Sequence, residues 1–189
     1  MPDAIVLLKN DHKAAEKLFK QFEKLGDNAL KTKRSVVDAI ITELSIHAAI
    51  EEQHFYPTIR EKAPAIADDV LEGLEEHHIV KWTLSELEDL APDAERFDAK
   101  VTVLIELVRH HVEEEEGEMF PKVREALGRK ELQELGAVME QAKAISPKRP
   151  HPKAPDTPPG NLIAGPTAAA ADGVKTGVRR GLRRAVGRK

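Results

Sequence analysis

The segment of sequence that decides the fold reads HAAIEEQHFYP and runs from His47 to Pro57. It recurs as HVEEEEGEMFP between His111 and Pro121, with His, Glu-Glu, two bulky apolar residues and Pro at the same spacing. Any two acidic helices that end in proline look somewhat alike. A histidine at the same offset is a more specific agreement, and it indicates an internal repeat.

A single histidine precedes each copy of this segment. His12 follows Asn-Asp and His77 follows Glu-Glu, and the two positions agree between the halves within one residue. The body of the chain therefore contains two units, each with one histidine followed by a His-x-x-x-Glu pair.

Apolar residues around the repeat recur at helical spacing and predict four helices. Capping and helix-breaking residues bound these helices: Asp3 and Gly26, residue 29 and Pro57, Pro64 and Pro92, Asp93 and Pro121. Because the connections are short, we expect an all-α fold, an antiparallel up-down four-helix bundle. Residues 119–144 are expected to add shorter helices at one end.

Composition excludes several classes of protein. The chain has 189 residues, of which 41% are hydrophobic, enough for one core. Without cysteine it has no iron–sulfur cluster, thiolate zinc site, thiol catalysis or disulfide. No apolar run approaches the roughly 18 residues of a membrane span. With no secretory signal at the N-terminus, we expect a cytoplasmic location.

Charge divides the chain near residue 145. Residues 146–189 hold ten Lys or Arg and two Asp, whereas the preceding part is acidic. The later part opens with SPKRPHPKAPDTPPG, where repeated proline forbids helix. We expect a bundle over residues 1–145 and a disordered linker and basic tail over 146–189. The tail could contact nucleic acid, an anionic membrane or an acidic protein.

Helical spacing gives the repeated motif a chemical meaning. Residues four apart lie on one face of a helix, so His47 and Glu51 point the same way, as do His111 and Glu115. A histidine from each of the other two helices completes the set. The candidate metal ligands are His12, His47, Glu51, His77, His111 and Glu115. Four imidazoles and two carboxylates suffice for a dinuclear site with open positions.

Ligand chemistry narrows the metal. Imidazole and carboxylate together suit iron, zinc, copper or manganese, and no soft ligand selects otherwise. Two bridging carboxylates in a four-helix bundle fit two iron ions best, with zinc and manganese as alternatives. Taken singly, a His-x-x-x-Glu pair is usually a surface ion pair, and Phe55, Tyr56, Met119 and Phe120 are expected to fill the core.

At these residues the chain resembles the hemerythrin-like, or HHE cation-binding, family over roughly residues 3–125. The resemblance implies a non-haem di-iron site bridged by two carboxylates, which binds O2 or a related small molecule. All six candidate ligands match family ligand positions: His12, His47, Glu51, His77, His111 and Glu115.

One position departs from the oxygen-carrying members of that family. They have a second histidine one turn after the residue that matches His77, and this chain has Lys81 there. One iron would then keep an open position. This departure favours peroxide decomposition, NO or O2 response, or iron sensing over reversible O2 carriage. His110 and Glu114 form a second pair with the same spacing on a rotated face, so they are an alternative register.

Two other functions fit parts of the sequence. A ferritin-like di-iron carboxylate protein would use Glu-x-x-His, which occurs as Glu51 to His54 and Glu75 to His78. That motif does not repeat between the halves, and it leaves His47 and His111 unexplained. The third possibility is a structural bundle whose basic tail binds a partner.

Overall fold

A computed structural model describes residues 2–162 and 164–172 of the chain. Over this part it contains α-helices and short π- and 3-10-helical turns and no strand, which confirms the all-α prediction. No helix in the described part is long and apolar enough to cross a membrane. The Arg-rich end of the expected basic tail lies outside the described residues, so its partners stay predictions.

Four long helical paths make up the bundle, and two of them change helix type along their length. Helix α1 spans Ala4–Glu23 and α4 spans Ala67–Asp89. The second path joins α2 (Leu30–Ile50), a first π-turn (Glu51–Phe55) and α3 (Tyr56–Lys62), and a 3-10 turn (Pro64–Ile66) follows. The fourth path joins α5 (Phe97–Glu114), a second π-turn (Glu115–Met119) and α6 (Phe120–Ala126). Helix α7 (Arg129–Lys143) packs on α1 and α2.

The first helix begins where the sequence predicts. The side chain of Asp3 accepts a hydrogen bond from the backbone N–H of Val6 at 2.8 Å. This bond satisfies one of the N–H groups that a helix start leaves without a partner. Helix α1 ends at Glu23, just before Gly26.

Pro57 and Pro121 do not end the helical paths, and on this point the sequence prediction is wrong. Each proline lies in the first turn of the following α-helix, where a residue without an N–H is tolerated. The N–H just before each proline, on Tyr56 or Phe120, donates to the carbonyl five residues back. A π-turn thus accommodates the proline in each copy of the repeat.

Buried apolar side chains form two clusters along the bundle. The first includes Leu8, Phe55 and Phe120 and extends under α7. The second includes Phe19 and Phe97 and fills the other end. Along each long path, buried polar residues separate the two clusters. This buried polar layer consists of Asp11, His12, His47, Glu51, Glu52, His77, His111 and Glu115.

The segment after α7 runs along the outside of the bundle. Arg149 pairs with Glu88, and residues 160–162 and 164–172 are helical. The Asn161 amide donates to the backbone carbonyl of Glu52 at 2.8 Å, and Asn161 is buried. Composition gave no signal for these long-range contacts. The domain boundary at residue 145 stays a prediction.

Candidate metal centre

All six predicted ligands lie in the buried polar layer. Each has at most 7% of its surface exposed. Helices α1, α2, α4 and α5 supply one histidine each, and the first residue of each π-turn supplies a carboxylate: His12, His47, His77, His111, Glu51 and Glu115. The duplicated sequence motif therefore becomes a duplicated structural unit in which a histidine lies in the last turn of an α-helix and a glutamate begins a π-turn.

The six side chains form two adjacent groups that share Glu51. In the first group, ligand atoms of His12, His47, Glu51 and Glu115 all lie within 4.8 Å of one another. In the second, those of Glu51, His77 and His111 do the same. A shared carboxylate between two histidine-containing groups suits two cations that lie side by side.

Several nitrogen and oxygen atoms in the layer lie close together but are not aligned for hydrogen bonds. Nε2 of His47 lies 3.1 Å from Oε2 of Glu51, and Nε2 of His12 lies 3.3 Å from Oε2 of Glu115. Yet His12 Nε2, both Glu51 oxygens and Glu115 Oε2 have no hydrogen-bond partner. A buried polar atom without a partner costs about 1–3 kcal/mol. Nitrogen and oxygen lone pairs that converge without bonding each other fit a bound cation.

A second ring of carboxylates faces the outer nitrogens of the histidines. Nδ1 lies within 3.7 Å of a carboxylate oxygen in every case: His12 to Glu116 at 2.9 Å, His77 to Glu52 at 3.2 Å, His111 to Glu76 at 2.7 Å, His47 to Asp11 at 3.7 Å. An imidazole whose Nδ1–H is held this way presents a neutral Nε2 to a metal, in a fixed orientation. The layer thus orients its histidines from outside.

The four orienting acids can be recognised in the sequence, although the helical spacing of the ligands assigns them no role. Each is the neighbour of a predicted ligand, and the order is the same in both halves: Asp11-His12 and Glu76-His77, Glu51-Glu52 and Glu115-Glu116. In each neighbouring pair, one residue belongs to the ligand set and the other orients a histidine of a different helix.

Electrostatics in the layer favour ionised pairs. Although burial alone would lower the pKa of His77, the nearby carboxylates of Glu51 and Glu52 raise it to about 9. The pKa of His47 is also raised, because Glu51 and Asp11 outweigh its burial. Conversely, His47 and His77 hold the pKa of Glu51 well below its usual value despite full burial. Without a cation, protons on imidazole balance the carboxylates.

Tyr56 belongs to the layer as well as to the apolar core. Its hydroxyl donates to Oε1 of Glu115 at 2.9 Å, and both groups are buried. Burial and the nearby carboxylates, above all Glu115, raise the pKa of Tyr56 well above its usual value, so the hydroxyl keeps its proton. Apolar spacing predicts only a packing role for Tyr56, because it does not show where a hydroxyl points.

Lys81 occupies the position that departs from the oxygen carriers. It is buried, and its Nζ donates to Oε1 of Glu52 at 2.8 Å. The same carboxylate oxygen faces Nδ1 of His77. Lys81 therefore acts on the carboxylate that orients a histidine, one step removed from the converging ligand atoms.

The other candidate histidines of the body lie outside the converging groups. His110 is 64% exposed at its side chain and pairs with Glu114 on the outer face of α5. His54 is half-buried, and burial lowers its pKa. His78 accepts a hydrogen bond from Nε1 of Trp82. Within the described residues, the ferritin-like ligand set is thus not assembled, since His54 and His78 stay apart from the layer.

An open cavity of about 1000 Å³ leads to the layer between the helices. Four ligand histidines contribute to its wall, and most of the remaining buried wall is apolar: Ala15, Phe19, Leu44, Ala48, Val80 and Val108. Small neutral molecules can therefore approach the four histidines from this cavity.

A family model described as the hemerythrin HHE cation binding domain matches residues 3–123. An uncharacterized hemerythrin-like protein of Schizosaccharomyces pombe is 25% identical over 163 residues, 86% of this chain and 79% of that protein. A DNA nickase of Nostoc is 25% identical over 138 residues, 73% of this chain but only 38% of that protein. The crystal structure of a hemerythrin HHE cation binding domain-containing protein from Mycobacterium kansasii matches with a TM-score of 0.63 and 27% identity, over 76% of this chain and 89% of that one.

Proposed function

This chain belongs to the hemerythrin HHE cation-binding family, and from that premise we propose that its buried layer is a non-haem di-iron centre that binds or reacts with O2, peroxide or NO. One ion would be held by His12, His47, Glu51 and Glu115, and the other by His77, His111 and the shared Glu51. Iron in such a site supplies redox chemistry and open coordination positions for a small ligand.

The observation that carries this proposal is the convergence of buried ligand atoms, four of which have no hydrogen-bond partner among the described residues: His12 Nε2, both Glu51 oxygens and Glu115 Oε2. In each group, imidazole nitrogens and carboxylate oxygens from three helical paths lie within 4.8 Å of one another, and the two groups together involve all four paths. A purely structural polar layer would satisfy its buried atoms internally. Here Glu51 has two buried oxygens, and neither has a hydrogen-bond partner.

The residues around the ligands support the proposal that the centre reacts with or senses a small molecule. Hydrogen bonds to carboxylates at Nδ1 of His12, His77 and His111 keep their Nε2 atoms directed inward, and the apolar wall of the large cavity admits small uncharged molecules. Tyr56 holds a proton beside Glu115. Lys81 stands where the oxygen carriers have a histidine, and its side chain pairs with Glu52. His77 and His111 are therefore the imidazoles of their group.

The test is reactivity of iron-loaded protein. Purified protein should be loaded with Fe²⁺ without oxygen, freed of excess iron and mixed in turn with O2, hydrogen peroxide and NO. We expect the absorption spectrum to change with at least one of them, and peroxide to release O2 if the centre decomposes it. Both signals should vanish when His47→Ala and His111→Ala are combined, which removes one histidine from each group, and persist in His54→Ala. An iron-loaded protein that responds to none of the three would overturn the proposed chemistry.

Metal analysis separates iron from its alternatives. Zinc and manganese take the same donor types. If protein from cells grown with all three metals carries zinc alone, the site holds metal but lacks the redox function proposed here.

A further inference from the structure

A second histidine–carboxylate cluster lies on the outside of the bundle, next to the buried layer. Ligand atoms of Glu76, His110 and Glu114 lie within 4.8 Å of one another. Glu76 belongs to α4, and the other two residues lie one turn apart on α5. Imidazole with two carboxylates is a donor set that divalent cations take readily.

An acidic cavity connects this outer cluster to the buried layer. It has a volume of about 70 Å³, room for water or a single ion. Among the described residues, its wall includes six carboxylates and no Lys or Arg: Asp69, Glu72, Glu76, Glu114, Glu115 and Glu118. His111 and Glu115, two of the proposed inner ligands, form part of the same wall. Lys122 pairs with Asp69 at 2.7 Å and neutralises one carboxylate.

The inner end of this cavity carries an unsatisfied anion. Glu115 is 1% exposed, and its Oε2 atom has no hydrogen-bond partner. Glu76 links the two ends, because its Oε2 lies 2.7 Å from Nδ1 of His111 while the residue also belongs to the outer cluster. A cation at the outer cluster would therefore be one side chain away from a buried ligand.

The two cavities differ in chemistry. Among the described residues, the large cavity has a mostly apolar inner wall, and its five basic residues are balanced by five carboxylates. A wall without net charge does not attract cations, and apolar surface does not solvate them. The acidic cavity attracts cations and concentrates them. A charged metal ion and an uncharged small ligand would thus use different entrances.

We propose that Glu76, His110 and Glu114 form an outer divalent-cation site from which metal ions pass through the acidic cavity into the buried layer. The outer site stands on its own geometry, whereas its role in loading rests on the proposed inner centre. Glu76 is the residue that joins the two functions, so tests should change His110 and Glu114 instead.

The first experiment counts sites. Protein already loaded with iron and freed of excess metal is titrated with Mn²⁺ alone, and free Mn²⁺ is followed by its electron paramagnetic resonance signal. We expect one further Mn²⁺ per chain in the unchanged protein. The double variant His110→Ala with Glu114→Gln should lose it. Glu113→Gln is the matched control, because it removes one exposed carboxylate of α5 that is not part of the acidic cavity.

The second experiment times loading. Metal-free protein is mixed with Fe²⁺ without oxygen, and a chromogenic chelator captures the remaining free iron at set times. We expect the double variant to load several-fold more slowly, because it lacks the outer site and one of the six carboxylates that concentrate cations in the acidic cavity. Its final iron content should equal that of the unchanged protein, and Glu113→Gln should load at the normal rate.

The outcomes separate the two proposals. Unchanged Mn²⁺ stoichiometry in the double variant overturns the outer site. A lost Mn²⁺ site with an unchanged loading rate overturns its role as an entrance. If unchanged protein takes up no iron in the second experiment, the inner centre fails, while the Mn²⁺ count on metal-free protein still decides the outer site.

Discussion

At the scale of single residues, four of the six proposed ligands have an acidic neighbour that contacts a histidine of a different helix: His12, Glu51, His77 and Glu115. Glu115 faces the inner nitrogen of His12, and the next residue, Glu116, faces the outer nitrogen of the same ring. Two adjacent carboxylates thus contact one imidazole from both sides. The acids of the outer ring should therefore matter for metal affinity even though they are not ligands.

Removing one orienting carboxylate tests this role. Glu116→Gln should lower metal affinity by about 10–100-fold, because the His12 ring loses the charge that fixes its tautomer and orientation. Competition with a chelator of known strength measures the change. Glu113→Gln, an exposed neighbour on the same helix, should leave affinity unchanged. Equal affinities in both variants would mean that orientation by Glu116 is not needed.

Proton release on metal binding follows from the raised pKa of His77. Its pKa in the metal-free fold is about 9, against 6.5 for a free imidazole, so it carries a proton at pH 7 that a metal must displace. Apparent affinity should rise as pH increases toward 9, by about tenfold per pH unit for each proton released. Titration with Fe²⁺ in weak buffer with a pH indicator measures this release.

The same pKa sets the sign of the pH dependence of stability without metal. The raised pKa stabilises the fold fully below 6.5, and this contribution is lost as pH rises through about 9. The midpoint of thermal unfolding of metal-free protein should therefore fall over that window. His54 serves as the control, since burial lowers its pKa and it is neutral at pH 7. In the proton-release titration, a release that disappeared in His54→Gln would contradict the assignment of the released proton to His77.

Tyr56 allows a test of the buried hydrogen bond. Tyr56→Phe removes the only hydrogen-bond donor described for Oε1 of Glu115 and should lower the free energy of unfolding by about 1–3 kcal/mol. Urea unfolding measures the loss. Trp82→Phe removes an exposed hydrogen bond to His78 and should cost less than about 1 kcal/mol, which provides the comparison. Equal losses in the two variants would show that the buried Tyr56 bond stabilises the fold no more than the exposed Trp82 bond does.

Helical spacing predicts many of the contacts in the site, but it does not predict all of them. Helical periodicity and the repeat bring His47 with Glu51 and His111 with Glu115, and the structure gathers these side chains in one layer. The hydroxyl of Tyr56 and the pairing of Lys81 with Glu52 could not be inferred. Both depend on how different helices face each other, and a one-dimensional pattern does not contain that information.

At the scale of elements, the two π-turns decide where the carboxylates lie. The N–H of Tyr56 donates to the carbonyl of Glu51, so the Glu52 carbonyl loses its usual α-helical donor. The next residue that could donate is Pro57, which has no N–H. The Asn161 side chain supplies the missing donor at 2.8 Å. A residue far along the chain thus completes the first π-turn.

A double-mutant cycle tests this arrangement. Asn161→Ala should lower the free energy of unfolding by about 1–3 kcal/mol, because a buried carbonyl loses its donor. Pro57→Ala restores an N–H at the position that can donate to Glu52. The cost of Asn161→Ala should therefore shrink by about 0.5 kcal/mol or more in the Pro57→Ala background. Asn28→Ala, an exposed substitution in a turn, is the control. Strict additivity would mean that Asn161 does not serve the π-turn.

Element boundaries were predictable where capping chemistry is local. Asp3 begins α1 through its own side chain. Proline was the misleading signal, because it stops an α-helix only when the freed carbonyls find no other donor. The π-turns move the hydrogen bonds by one residue, and so the helical paths continue through Pro57 and Pro121.

At the scale of the whole molecule, a polar layer divides the core into two apolar clusters. The layer contains buried atoms without hydrogen bonds, which the surrounding apolar packing must hold in place. Four helical paths contribute to this layer, so a bound cation would link all of them. The alternation of apolar, polar and apolar residues along each path was visible in the sequence. The course of residues 146–172 over the bundle was not, because its contacts are long-range.

Metal removal should therefore weaken the entire bundle. A ligand that binds only the folded state stabilises it by about 2.7 kcal/mol at a hundredfold excess over its dissociation constant. The midpoint of thermal unfolding should fall when a chelator strips the metal and recover when Fe²⁺ is restored without oxygen. A double variant with His47→Ala and His111→Ala, which loses one histidine from each group, should unfold at the same temperature with and without Fe²⁺.

Iron content in matched histidine variants tests the central claim most directly. Protein is loaded with Fe²⁺ without oxygen, freed of excess metal and analysed by mass spectrometry for iron per chain. We predict two irons in the unchanged chain and in a variant with His54→Ala and His151→Ala, and almost none with His47→Ala and His111→Ala. A chain that retains no iron, or equal iron in the two variants, would contradict the assignment of the buried layer as the metal centre.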